Sequence, residues 1–374
     1  MHFPSPNLIL SSSRDGSVRC WRRKNDKPPT FESSIVYQSA RYINTVGFLP
    51  PSDAFGPDGL VVYGGGDYSV DVLDPTNPDN DKSRTMVGHT NNICSLAVFP
   101  NAKGIVSGSW DNSAVIWNTE RWEPSKILVH EGETDNPRSV WAVLPFDDDT
   151  IITGSADSYI RVFYPNSTGD MEVAAKRLFK TEDIVRALCK LPAGAYGDAD
   201  FASAGNDGAI TLWNKEKGIV GKLNGGHDSF IYSLACLPSG EIVSSGEDRT
   251  VRIWKGKECV QTIVHPAISV WSVAVCSENG DIVSGASDKV VRVFTRSDER
   301  KAGPDAMAEF DDAVRSSAIP APTIDQRNVK SKEWLETNTG NHRQVVMVKE
   351  SDGSISAYQY TQGWFSAPDG RMSI

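Results

Sequence analysis

Two residue pairs have the types and spacing for acid–base chemistry: His89 with Asp111, and His227 with Asp248. An imidazole beside a carboxylate lets a hydrolase take up a proton and return it. His130 and His265 stand in the same relation to Asp157 and Asp288, so four of the six histidines fall at one recurring position. A catalytic dyad is needed once, whereas a pair that returns with the chain's own period reads as scaffold hydrogen bonding. A second puzzle sits at the same aspartates. Trp110 precedes Asp111, where a small polar residue would turn the chain as well.

The elements that position these residues follow from the repeat around each Asp. Seven copies align: LILSSSRDGSVRCW (8–21), LVVYGGGDYSVDVL (60–73), GIVSGSWDNSAVIW (104–117), TIITGSADSYIRVF (150–163), DFASAGNDGAITLW (200–213), EIVSSGEDRTVRIW (241–254) and DIVSGASDKVVRVF (281–294). Their aspartates are Asp15, Asp67, Asp111, Asp157, Asp207, Asp248 and Asp288. The intervals are about 40–50 residues, several within the ~40–45 of WD40 text. Apolar and small residues alternate at period two on both sides of each Asp, which predicts two antiparallel strands joined by a tight turn. Another short strand precedes most copies, as in ICSLAVF, SVWAVLPF, VRALCKL, IYSLACL and SVWSVAV.

Bulk properties narrow the function. The 374 residues carry a formal net charge of −10 with no basic stripe, which argues against nucleic acid as partner. No apolar run approaches the ~18 residues of a membrane helix, and MHFPSPNLIL has no signal-peptide pattern. The six cysteines lie singly and read as small buried hydrophobes in a reducing compartment. There is no GxxxxGK[ST] loop, no GxSxG and no metal-ligand spacing, so neither enzyme activity nor a cofactor or metal is expected.

The seven copies resemble the WD40 family across residues 8–295. The resemblance implies an all-β, seven-bladed WD40 β-propeller. It also implies a hydrogen-bond chain from His through the strand hydroxyl to Asp and Trp. Carried over, these tetrads are His89, Ser107, Asp111, Trp117 and His227, Ser244, Asp248, Trp254. Blades one, two and five lack the His, and blades four and seven have Phe for Trp, so these are expected to lean on apolar packing. The chain enters at Leu8 already in the second strand of blade one. Two of twenty-eight strands are therefore expected to be missing, leaving the first and last blades incomplete, with the natural chain beginning upstream.

In WD40 proteins three positions per blade commonly face outward on the side of the Asp turns. Here they include Arg14, Tyr42, Asn44, Asn92, Cys94, Trp110, Ser139, Trp141, Ile184, Arg186, Asn206, Phe230, Tyr232, Glu247, Ser269 and Trp271. Trp and Tyr among a few charges are the makings of a protein-binding hot spot. On this mapping Trp110 is either displayed to a partner or covers the edge of a neighbouring strand.

The propeller is placed at 1–295, followed by a linker at 296–333. Within the linker, AMAEFDDAVRSSA is either a short helix with Met307, Phe310 and Val314 on one face or a solvated tether. From 334 to 374 the segments QVVMVKE and SISAYQY alternate around Ser351-Asp352-Gly353, a hairpin signal. Val346, Val348, Tyr358 and Trp364 fit the opening of a PFU ubiquitin-binding module, an α+β fold of which this would be a truncated start. The phrases GSWD, HDSFIYSLACLPSGEIVSSGEDRTVRIW and HPAISVWSVAV followed by that opening are similar to the phospholipase A-2-activating protein family. The resemblance implies a non-enzymatic adaptor of cytoplasm and nucleus that binds ubiquitin and ubiquitin chains in protein degradation and ubiquitin recycling. In the full-length family a PUL domain, absent from these residues, recruits the AAA ATPase valosin-containing protein. A generic WD40 scaffold binding another protein or peptide on the same aromatic face is the alternative.

Overall fold

The recurring turn is built at one residue. The position after each turn Asp takes a φ between 64° and 80°, at Gly16, Tyr68, Asn112, Ser158, Gly208, Arg249 and Lys289. Glycine and asparagine reach this region at low cost, whereas the larger side chains must be held there. The Asp carboxylate does the holding by accepting the backbone N–H two residues on. The distances are 2.9 Å for Ser17, 3.0 Å for Ser113, 3.1 Å for Thr250 and 3.2 Å for Val290.

These turns join the second and third strands of seven antiparallel sheets. The computed structural model describes residues 1–317 except 25–29, 79 and 132–137, and beyond them the backbone of four strands between 344 and 373. Blade one is β1 (His2–Ser5), β2 (Leu8–Ser12), β3 (Ser17–Arg23) and β4 (Phe31–Gln38). Blade two is β5 (Ile43–Leu49), β6 (Leu60–Gly65), β7 (Ser69–Leu73) and β8 (Arg84–Val87). Blade three is β9 (Ile93–Val98), β10 (Gly104–Ser109), β11 (Ser113–Asn118) and β12 (Glu123–Val129). Blade four runs β13 (Val140–Pro145), β14 (Ile151–Ser155) and β15 (Tyr159–Phe163), detours through β16 (Glu172–Ala174), and finishes with β17 (Arg177–Lys180). Blade five is β18 (Val185–Lys190), β19 (Phe201–Gly205), β20 (Ile210–Asn214) and β21 (Gly218–Lys222). Blade six is β22 (Ile231–Cys236), β23 (Ile242–Gly246), β24 (Thr250–Lys255) and β25 (Glu258–Val264). Blade seven is β26 (Val270–Val275), β27 (Ile282–Ala286) and β28 (Val291–Phe294). Together they make a seven-bladed, nearly all-β propeller.

The core lies between blades, because each sheet buries both faces against its neighbours. Leu49, Val62 and Val72 of blade two pack on Ile93, Ile105 and Trp117 of blade three. Ala202 and Leu212 of blade five pack on Ile231, Ile242 and Trp254 of blade six. The Gly three residues before some turn Asps permits this closeness. A Cβ on Gly154 of blade four would stand 2.4 Å from Val185 Cγ1 of blade five.

Three features depart from the sequence expectation. The inner strand of blade one is present. β1 pairs with β2, His2 opposite Leu10 and Ser5 opposite Leu8, so only the outer position of blade seven is unfilled among the described residues. Phe3 and Ile9 of blade one pack with Cys276 and Val283 of blade seven, which closes the ring through apolar contact. Blade three gains a fifth strand, because β16 pairs in parallel with β12, Val173 opposite Leu128. Finally, not every cysteine is a buried hydrophobe: Cys259 is exposed, while Cys20, Cys189 and Cys276 are buried.

Of the two readings of the linker, the structure takes the helix, α1 (Pro304–Ser316). Linker residues 318–333 and the Ser351-Asp352-Gly353 turn lie outside the described residues. A second unit contains β29 (Gln344–Lys349), β30 (Ile355–Thr361), β31 (Trp364–Ser366) and β32 (Met372–Ser373) in one antiparallel sheet.

Candidate partner-binding face and the buried hydrogen-bond chains

In blade three, His89 Nδ1 lies 2.7 Å from Asp111 Oδ2, and its Nε2 lies 2.7 Å from Ser107 Oγ. Trp117 Nε1 donates to the same hydroxyl at 2.7 Å. An indole can only donate and a carboxylate can only accept, which sets the direction of the whole chain. Trp117 gives to Ser107, Ser107 gives to His89 Nε2, and His89 Nδ1–H gives to Asp111. Burial pushes the Asp111 carboxyl up, but the bond and charge of His89, with Ser113 and Thr90, outweigh it and hold it at about 2. Blade six repeats the arrangement. His227 is 2.9 Å from Asp248 Oδ1 and 2.6 Å from Ser244 Oγ, which accepts from Trp254 Nε1 at 2.8 Å. Both imidazoles are fully enclosed, with 0% side-chain exposure. Neither end of the ring is open to a substrate, so the geometry serves the fold.

Blades four and seven do not fall back on apolar packing as the sequence suggested. Each places an Arg four residues after the turn Asp. Arg161 grips Asp157 with two nitrogens, at 2.6 and 3.1 Å, and Arg292 holds Asp288 at 2.6 Å. Their histidines turn to the strand hydroxyl, His130 to Thr153 at 2.7 Å and His265 to Ser284 at 2.8 Å, and His130 Nδ1 meets the Leu128 carbonyl at 3.1 Å instead of the Asp. The D-x-x-x-R spacing was visible in DSYIR and DKVVR, and it is the signal that would have found these residues.

The inner strands and Asp turns bring the mapped aromatics of four blades, with Arg186 of a fifth, into one arc. Trp110 and Trp141 meet with ring centroids 6.0 Å apart. The Arg186 guanidinium then sits 5.0 Å over Trp141 and 5.5 Å from both Phe230 and Tyr232. Tyr232 lies 4.5 Å from Trp271, and Arg14 covers Trp271 at 5.5 Å. Arg186 is thus enclosed by three rings and anchored through Nε to Asn206 Oδ1. Cation–π attraction of this kind strengthens as water is excluded. Burial lowers the Arg186 pKa, and burial, with Glu247 adding, pushes the Tyr232 phenol up to about 12. Glu247 is itself fixed by Ser229 Oγ, which donates at 3.0 Å. The indole N–H of Trp141 is buried without a hydrogen-bond partner among the described residues.

Exposure sorts the other mapped positions. Trp110 and Trp271 are 38% and 44% exposed, and Arg14, Asn44 and Tyr42 are exposed too. Asn92 and Ser269 are buried and offer nothing to a partner. A cation–ring contact that the sequence reading missed lies on blade two, where Arg41 covers Tyr68 at 5.8 Å. In the second unit Val346 pairs with Tyr358, Val348 with Ser356, and Trp364 with Thr361 along the backbone. Among the described residues no cluster of His, Cys, Asp and Glu could hold a metal ion.

Comparison with known proteins follows the same lines. The model of the WD domain, G-beta repeat, matches residues 2–22, 80–118, 219–255 and 257–295. The ubiquitin homeostasis protein lub1 of Schizosaccharomyces pombe is 34% identical over 363 residues, 96% of this chain and 46% of that protein. Protein DOA1 of Saccharomyces cerevisiae is 34% identical over 362 residues, 94% of this chain and 46% of its own length. The chain therefore spans about half the length of these relatives. The crystal structure of the WD40 β-propeller domain of Doa1 superposes with a TM-score of 0.66 at 32% identity, over 80% of this chain and 92% of that one.

Proposed function

The chain belongs to the WD40 propeller family that includes Doa1 and Lub1, and from that premise we propose that it is a non-enzymatic ubiquitin-binding adaptor acting in ubiquitin-dependent degradation and ubiquitin recycling in cytoplasm and nucleus. The observation that carries this reading is the arc from Trp110 through Trp141, Arg186, Phe230 and Tyr232 to Trp271. A contiguous set of large rings around an immobilised Arg matches the composition of binding hot spots. Ubiquitin docks its apolar β-sheet patch on these rings, with Arg14 and Glu247 setting orientation. The PFU-like sheet supplies a second ubiquitin contact, and recruitment of the AAA ATPase belongs to the PUL region of the longer family members. The names of the relatives, ubiquitin homeostasis protein lub1 and, at 29% identity over 234 residues, a ubiquitin fusion degradation protein 3 homolog of Caenorhabditis elegans, support the pathway.

The test is an NMR titration of isotope-labelled ubiquitin with the full chain and with its Trp141→Ala, Trp271→Ala double variant. Shifts confined to the apolar sheet patch, weakened at least tenfold by the double substitution, are expected. A double variant that keeps its thermal midpoint and binds as tightly as the parent removes the arc as the site. Absence of shifts from the parent chain leaves the scaffold for a different protein or peptide.

A further inference from the structure

Blade five has the Trp, the hydroxyl and the Asp of the buried chain but no histidine. Trp213 Nε1 donates to Ser203 Oγ at 2.8 Å, as Trp117 and Trp254 do to their serines. The imidazole in blades three and six comes from the residue four before the inner strand, His89 before Ile93 and His227 before Ile231. The equivalent residue before Val185 is Thr181, whose hydroxyl turns away to donate to the Asp183 carbonyl at 2.7 Å. A cavity of about 80 Å³ lies at this place, lined by Thr181, Ser203, Asp207, Thr211 and Trp213. One ordered water needs only ~10–15 Å³ by the same measure.

The cavity is charged as well as open. Asp207 accepts the Ala209 N–H at 3.2 Å, but among the described residues no His or Arg side chain pairs with it as in blades three, four, six and seven. Burial, followed by repulsion from Glu182 and Asp183, raises its pKa, opposite to the lowering at Asp111 and Asp248. At the rim, Lys222 is neutralised by Glu182 at 2.6 Å, and Lys180 stands beside it. What is absent is a flat group able to donate to a carboxylate on one edge and meet a hydroxyl on the other.

We propose that this cavity is a binding site for a small planar cation of the imidazolium class, whether free or as the side chain of a histidine on another polypeptide. The occupant takes the place that His89 and His227 fill in their own blades. One N–H donates to Asp207, and the opposite edge of the ring meets Ser203. The site is independent of the ubiquitin reading, since it uses none of the arc's rings.

The test follows the indole N–H of Trp213 by NMR in the full chain at pH 6, with imidazole, with pyrazole as its weakly basic isostere, and with N-acetyl-histidine methylamide. Imidazole is expected to shift Trp213 saturably while Trp117 and Trp254 stay fixed, and pyrazole to bind at least tenfold more weakly. Thr181→His, which supplies the missing ring, abolishes the shift and raises the thermal midpoint; Asp207→Asn weakens binding at least tenfold. A shift with the blocked histidine as well identifies a peptide residue as occupant, and a shift with imidazole alone identifies a free amine. No shift at Trp213, equal binding of pyrazole, or an undiminished shift in a folded Thr181→His variant overturns the proposal.

Discussion

At the scale of single residues, His130 and His265 show what enclosure does to a titratable ring. Burial first, and the charges of Arg161 and Arg292 second, push their pKa values down to about 3 and about 4. In the unfolded chain both protonate near 6.5. Below that pH the unfolded state gains protons that the folded state refuses, so the contribution of these two rings is flat above pH 7 and falls as the pH drops from 6.5 toward 4. The slope approaches ~1.4 kcal/mol per pH unit for each ring. Asp111 adds nothing to this fall. Its folded pKa is depressed to about 2, so its contribution is complete above ~4 and is lost only in stronger acid. Urea denaturation at pH 7.5, 6 and 5 should show the midpoint dropping below 6.5. A midpoint constant across that range would mean that the imidazoles protonate freely inside the fold.

At the scale of elements, the closing contact is made by β1. Phe3 is 4% exposed and joins Ile9 to Cys276 and Val283 across the seam. Phe3→Ala should cost about 3–5 kcal/mol, the usual loss for emptying an aromatic core site. A urea midpoint shift equivalent to less than ~1 kcal/mol would show that the seam is held elsewhere. This strand is also where sequence reading stops. The seven turn aspartates, the paired strands around them and both His–Ser–Asp–Trp sets were legible because each repeats in register. HFPS was not, because four residues containing a proline carry too little alternation to register as a strand. β16 was hidden for the same reason, since three residues of one blade paired with another leave no periodic trace. The aromatic positions could be counted, but the enclosure of Arg186 by rings from blades four and six required the curvature of the whole ring.

At the scale of the whole molecule, a net charge of −10 is spread over a chain whose candidate docking arc is made chiefly of rings. Apolar contact is screened little by salt, whereas separated surface charges are screened beyond ~8 Å at physiological ionic strength. The affinity for ubiquitin should therefore change less than about threefold between 50 and 500 mM NaCl, read from the same NMR titration. A tenfold loss would assign the docking to charge instead of to the rings. One site of this kind binds a single ubiquitin weakly, and ubiquitin chains gain by effective concentration when a second contact is engaged. The detour of blade four through β16 bears on the molecule under load. A propeller pulled at its ends sheds blades in turn, each peeling from its free outer strand. At blade three that strand is held between β11 and β16, so blade three cannot peel until its bonds to this blade-four excursion break, which ties its loss under force to the chain of blade four.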